Sequence, residues 1–273
     1  MQRPLVIDIA GSLAPLFAWL LAYSFIPDIP PLAATGVLLL FGLVFAWRFL
    51  VAGGDAGQIE RRARSRVRAL GPQWPWAIVT AVAMTVLLLA FVSLYSRLVP
   101  PPPPSPDNPF DAYIKQPIGW LPFVVWWVAV GPVVEEVIFR GWIQGRLSRD
   151  YGPEVAIVTA AALFALGLLD PWEVPHRFLL GLASGYTVYL TRSIWSGVLM
   201  HAMFYGGWEA ADAFSSSPDD LSALSAGPQG VSRVIAVILA AAAVASFAWR
   251  RERVIRDRIA ERRAPSAETG PSD

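Results

Sequence analysis

Eight apolar stretches, each long enough or nearly long enough to cross a bilayer as a helix, dominate this chain of 273 residues. They lie approximately at 5–26, 31–51, 74–99, 118–139, 153–169, 174–191, 193–212 and 231–249. A hydrocarbon core about 30 Å thick takes roughly 20 apolar residues per helix. Backbone that leaves water must satisfy its own polar groups, and in apolar runs of this length the helix is the way to do it. The expected fold class is therefore all-α: a polytopic membrane helix bundle of about eight transmembrane helices. Composition agrees, with 55% of residues in the hydrophobic set, 16% charged and a mean hydropathy of +0.48.

Arginine placement tests the count independently, because short loops rich in Arg and Lys stay on the cytoplasmic side. Arg61, Arg62, Arg64, Arg66 and Arg68 fall between the second and third spans, Arg140, Arg146 and Arg149 at and after the fourth, and Arg192 between the sixth and seventh. Arg250, Arg251, Arg253, Arg256, Arg258, Arg262 and Arg263 follow the eighth. All take the same side. The opposite loops carry Asp28, Asp107, Asp111, Asp170, Glu173, Asp212, Asp219 and Asp220. Both termini are thus expected in the cytoplasm. The tail arginines are interleaved with carboxylates, which weakens any lipid-binding field and favours a role in topology.

Three regions follow. Residues 1–116 hold the first three spans, a basic cytoplasmic loop at Gly53 to Gly71 and an extended external loop around Pro100 to Pro104. Residues 117–212 hold the fourth to seventh spans, and residues 213–273 the last span and a polar tail, expected to be disordered beyond Arg263. The first span lacks a basic flank beyond Arg3 and a small-residue cleavage site, so it reads as retained. Cysteine is absent, which excludes disulfides, thiolate metal sites and a cysteine nucleophile. Nothing in the charge pattern implies a nucleic-acid partner. The expected partners are the lipid bilayer and a protein or peptide substrate, and the expected place is a bacterial inner (plasma) membrane, crossed many times.

Ionisable side chains inside a span are costly and each asks for a partner or a purpose. The fourth span carries Glu135, Glu136 and Arg140, and the seventh carries His201 at its centre and Glu209 near its end. Glu136 and Arg140 are four residues apart, so they share a helix face with the acid on the N-terminal side, the favourable order for an ion pair. Glu135 points roughly 100° away and has no cation at i+4, which leaves it free to act. Pro132 cannot donate its amide and should kink or thin the helix where the acids begin. If this helix ended at Phe139, Glu135 would lie near the surface. If it continues through Gly141 to Leu147, Glu135 lies mid-membrane at the depth of His201. His201, Tyr205 and either Trp208 or Glu209 form one helical stripe expected to face the bundle interior.

The run Glu135-Glu136-Val137-Ile138-Phe139-Arg140-Gly141 resembles the EExxxR motif of the intramembrane proteases related to the type II CAAX prenyl endopeptidases and bacteriocin-processing enzymes, the CPBP family. The likeness continues through Trp142 to Leu147, the Ala-rich helix ending in Phe164, Phe178 to Gly181 with Gly185-Tyr186, and His201. The resemblance implies an endopeptidase hydrolysing peptide bonds of membrane-associated substrates, with Glu135 as general base, His201 and Tyr205 on the oxyanion side, and Glu136, Arg140 and Phe164 in support.

Two positions depart from the family pattern. The second motif, FxxxH, has Phe164 but Leu168 in place of histidine, and the third has His201 but Tyr205 where asparagine or a similar polar residue is usual. Leucine cannot activate water, whereas tyrosine can donate to an oxyanion. His176, beside Pro175 and Arg177, is the other histidine of the chain and a possible substitute if it folds back over the site. A catalytic zinc wants three protein ligands. Only Glu135 and His201 offer themselves, so no cofactor is expected and a divalent metal such as zinc is suggested by the family's name alone.

Three rival readings stand beside this one. Ser184, next to Gly185 and one span before His201, suggests a serine protease of the rhomboid kind, but Leu182 stands where its motif needs glycine, and Gly181 and Gly185 read more simply as close helix packing. A catalytically inactive family member acting as an immunity, scaffold or substrate-binding factor would explain Leu168. A transporter would need an inverted repeat, and the sequence shows none.

Overall fold

The structure is a computed structural model that describes residues 70–102, 125–167 and 170–214, together with Leu40, Trp249, Glu252 and Arg253. Every regular element among them is helical. Three of the expected spans, at 5–26, 31–51 and 231–249, fall almost wholly outside the described residues, as do both termini and Leu168.

A turn of tight helix at Gly71–Gln73 leads into α1, Trp74–Leu98. Pro75 sits in its first turn, where a missing amide hydrogen costs nothing. Together they form a helix of 28 residues, whose most apolar 18-residue stretch has a mean hydropathy of 2.6, long and apolar enough to cross a membrane. The next helical run is uninterrupted over 125–150: a widened π-helical stretch at Val125–Val130, α2 at Gly131–Glu136, a second π-helical stretch at Val137–Gln144, and α3 at Gly145–Asp150. Pro132 is in the first turn of α2 and cannot bond to a preceding carbonyl, and the helix is wide just before it. The expected kink is therefore taken up as widened turns. Because the run passes Phe139 and ends at Asp150, Glu135 lies inside a helix and not at its end.

Gly152, with φ +82°, reverses the chain into α4, Gly152–Leu166, a shorter apolar helix. After Asp170, whose carboxylate accepts the Trp172 amide at 2.9 Å, comes α5, Val174–Thr191. A left-handed Arg192 ends α5, and α6 begins at once, Ile194–Phe214. At this corner Thr191 Oγ1 meets Ser196 Oγ at 2.8 Å and Ser196 donates to the Ser193 carbonyl at 2.8 Å, so the tight link leaves no hydroxyl stranded.

The packing explains the glycines. A Cβ on Gly181 would come within 2.9 Å of the Ala161 Cα, and one on Gly185 within 3.2 Å of Ile157, so α4 and α5 meet almost backbone to backbone. Arg140 Nη2 donates to the Gly181 carbonyl at 3.2 Å and Gln144 Nε2 to that of Gly185 at 2.9 Å. Two bonds in the same register make the 125–150 helix and α5 run side by side in one direction. The core is filled by Ile138, Phe139, Ile143, Phe164, Leu180 and Met200, while α1 covers α6, with Gly207 against Thr85 and Leu89. Trp74, Trp76, Val79, Val82, Leu94 and Leu98 on α1, and Val155, Val158 and Leu166 on α4, face outward.

Candidate active site

Three helices bring their ionisable residues to one place. Glu135, Glu136 and Arg140 come from the interior of the 125–150 helix, Arg177 from the first turn of α5, and His201 and Tyr205 from the middle of α6. Phe164, at the end of α4, closes the cluster and is itself fully buried.

Glu136 and Arg140 are paired at 3.0 Å, both with side chains 0% exposed. His201 stands between the two acids, its Nε2 3.4 Å from Glu135 Oε2 and its Nδ1 3.5 Å from Glu136 Oε1. At these lengths the contacts are electrostatic rather than well-formed hydrogen bonds. The imidazole meets the Phe164 ring edge to face at 5.4 Å. The Arg140 and Arg177 guanidinium carbons lie 4.7 and 4.4 Å from the same ring centroid, close enough for cation–π attraction to help hold both cations.

Glu135 has no cation at i+4 on its own helix, but one arrives from α5. Arg177 Nη2 is 3.8 Å from Glu135 Oε2, and Arg177 Nη1 donates to the Tyr205 hydroxyl at 2.7 Å while lying 3.5 Å from Glu173 Oε2. Burial raises the Glu173 carboxyl above the ordinary carboxylate range, and Arg177 pulls it the other way. Two buried carboxylates thus face two buried guanidinium groups, with the partly exposed Glu173 as a third acid at the edge. Gly197 on α6 is what lets the helices come this close, because a Cβ there would run into the Glu136 carboxylate.

His176 goes elsewhere. Its ring stacks on Trp208 at 5.8 Å, meets Trp172 edge on at 5.4 Å and lies 6.3 Å from Phe204, in an aromatic cluster beside the charged one. Trp208 therefore belongs to this cluster, and the side chain of Glu209 lies outside the described residues. Ser184 donates to the Gly181 carbonyl of its own helix at 3.5 Å, while the ring contacts of His201 are with Phe164 and Tyr205. The rhomboid-like pairing of Ser184 with His201 thus has no contact to support it. Arg177 is the site residue that sequence reasoning passed over. Its signal was there: an arginine inside the apolar stretch 174–191 asks for the same explanation as a glutamate inside 118–139.

A catalytic zinc does not fit these residues. Among the described residues no group of three His, Asp or Glu side chains is arranged to hold an ion. Glu136 is committed to Arg140, and a guanidinium beside Glu135 would repel a cation.

Residues 117–206, about a third of the chain, match the Rce1-like family, described as type II CAAX prenyl endopeptidase Rce1-like. The segment carrying the charged cluster is thus the one that is similar to a family of CAAX prenyl endopeptidases. No curated protein and no solved structure matches the chain.

Proposed function

We propose that this protein is a membrane-embedded endopeptidase of the CAAX type that hydrolyses peptide bonds of membrane-associated proteins or peptides with water activated by Glu135. The observation that carries this reading is the approach of Glu135 and His201 at 3.4 Å inside a buried cluster of the family segment. Glu135 takes a proton from water, the hydroxide oxygen attacks the peptide carbonyl carbon, and the charge that gathers on the carbonyl oxygen is met by His201 and Tyr205. Glu135 then passes its proton to the departing amine as the C–N bond breaks. Glu136 and Arg140 hold the helix that presents the base. No metal takes part, and Leu168 contributes no group to the chemistry.

The same reading places eight spans in a plasma membrane with both termini in the cytoplasm, and makes lipid the neighbour of the outward apolar faces of α1 and α4. The parallel run of the 125–150 helix and α5 supports that topology, since the arginine pattern gives those two segments the same direction. Trp172 Nε1 donating to the Val99 carbonyl at 3.0 Å supports it too, because both lie at ends assigned to the external side.

The test is proteolysis in liposomes of membrane-anchored and short peptides by wild type, Glu135→Gln and Leu168→His. Turnover by wild type that disappears in a folded Glu135→Gln is the expected outcome. An unchanged rate in Glu135→Gln would overturn the assignment of the base. Silence from wild type with activity in Leu168→His would favour the second reading, an inactive family member that binds its substrate without cutting it.

A further inference from the structure

We infer that Arg177 is a positioning residue of this site, one guanidinium holding the general base and the oxyanion-side tyrosine in mutual register. The inference rests on the peptidase reading and adds to it a residue outside the motifs that carry the resemblance.

Placing an arginine 2% exposed within a membrane helix is expensive, and its contacts show where the cost is met. The planar fork of arginine presents donors in fixed directions, so it can bridge acceptors that a lysine would reach only one at a time. Here the fork spans two helices. Nη2 faces Glu135 on the 125–150 helix, and Nη1 donates a hydrogen bond to the Tyr205 hydroxyl on α6 at 2.7 Å. An ion pair with Glu173 alone would be a local i,i+4 bridge within the first turn of α5, and it would not explain why the guanidinium lies over Phe164 at the centre of the cluster.

Two consequences bear on the chemistry. Because the Tyr205 oxygen accepts a hydrogen bond from a cation, its own proton points away from Arg177 and is strengthened as a donor to a growing oxyanion. Because Oε2 of Glu135 lies between Arg177 and His201, the carboxylate is held in one orientation. A guanidinium does not give up its proton, so Arg177 acts through these two residues and never as a base. It also gives the carboxylate a polar partner from the start of α5, a service that the leucine side chain at position 168 has no group to perform.

The experiment compares wild type, Arg177→Gln, Arg177→Lys, Tyr205→Phe, Glu135→Gln and the Arg177→Gln/Tyr205→Phe pair in liposomes, with kcat, KM and melting followed for each. Folded Arg177→Gln is expected to lose about a hundredfold in kcat, the scale of a lost oxyanion donor, with KM little changed. Adding Tyr205→Phe to it should cost little more, since residues that act as a unit are non-additive. Arg177→Lys should recover part of the loss. Losses that multiply in the double variant, or a wild-type kcat in folded Arg177→Gln, overturn the role of Arg177 alone. Where Arg177→Gln does not fold, the cycle is run with Arg177→Lys, and multiplying losses are again the overturning result. Wild type without turnover, indistinguishable from Glu135→Gln, overturns the peptidase reading and this role together.

Discussion

His176 and Arg177 are adjacent in the first turn of α5, yet they enter regions held together by different physics. Arg177 goes to the charged cluster, where Glu135, Tyr205 and the Phe164 ring fix it. His176 goes to the aromatic cluster, where Trp172, Phe204 and Trp208 surround it and its Nδ1 has no hydrogen-bond partner among the described residues. In the first region every group answers the charge of another, so removing one leaves its partner buried and uncompensated. In the second, contact is spread over ring faces and edges, and no single atom decides it. The charged region should therefore be brittle and the aromatic region tolerant, which is how a buried charge cluster differs from the packing beside it.

The largest break in that contrast is expected from Arg140→Met, which keeps the length of the side chain and strands Glu136. Loss of one partner of a fully buried pair costs on the order of 3–5 kcal/mol, and Glu136 has no exposed surface from which to find water. Folded protein recovered in detergent, and its melting temperature, should fall steeply. A variant that melts like wild type would show that the pair matters no more than an aromatic contact.

Gly197→Ala sharpens the same point without touching a charge. The added methyl meets the Glu136 carboxylate and comes within 3.0 Å of Val188. The carboxylate cannot swing aside freely because Arg140 holds it at 3.0 Å. Overpacking of this kind costs about 1–3 kcal/mol, and His201, which rides on the same helix, should lose its setting against both acids. Turnover falling further than stability is the outcome that ties Gly197 to the site; a variant equal to wild type in both would show that the helices have room to part.

How much of this was legible in the sequence follows the same division. Positions along one helix could be read: the i,i+4 spacing of Glu136 and Arg140 fixes a shared face, although whether the helix stops at Phe139 or runs on through Gly141 to Leu147 stayed open until the structure carried it to Asp150. The close packing at Gly181 and Gly185 was legible for the same reason, as four-residue spacing puts both on one side. What spacing cannot give is which turn of a distant helix faces the site. His176 and Arg177 differ by one position, roughly 100° around α5, and only the approach of α5 to the 125–150 helix decides which of them points inward. The sequence named the histidine because its chemistry suits a base, whereas the geometry brings the arginine.

His176→Phe carries the smallest expected effect and tests that choice directly. Phenylalanine keeps a flat ring to stack on Trp208 and to meet Trp172 edge on, and it removes a buried nitrogen that has no partner among the described residues. Aromatic pairs are worth about 0.5–1.5 kcal/mol each and survive the exchange, while removing an unsatisfied polar atom is neutral to favourable. Stability should thus stay within about 1 kcal/mol of wild type or rise slightly, and peptide turnover should be unchanged. A folded His176→Phe as inactive as Glu135→Gln would mean that the histidine reaches the reacting atoms after all. The aromatic region would then share the chemistry, and the division between brittle site and tolerant packing would have to be redrawn.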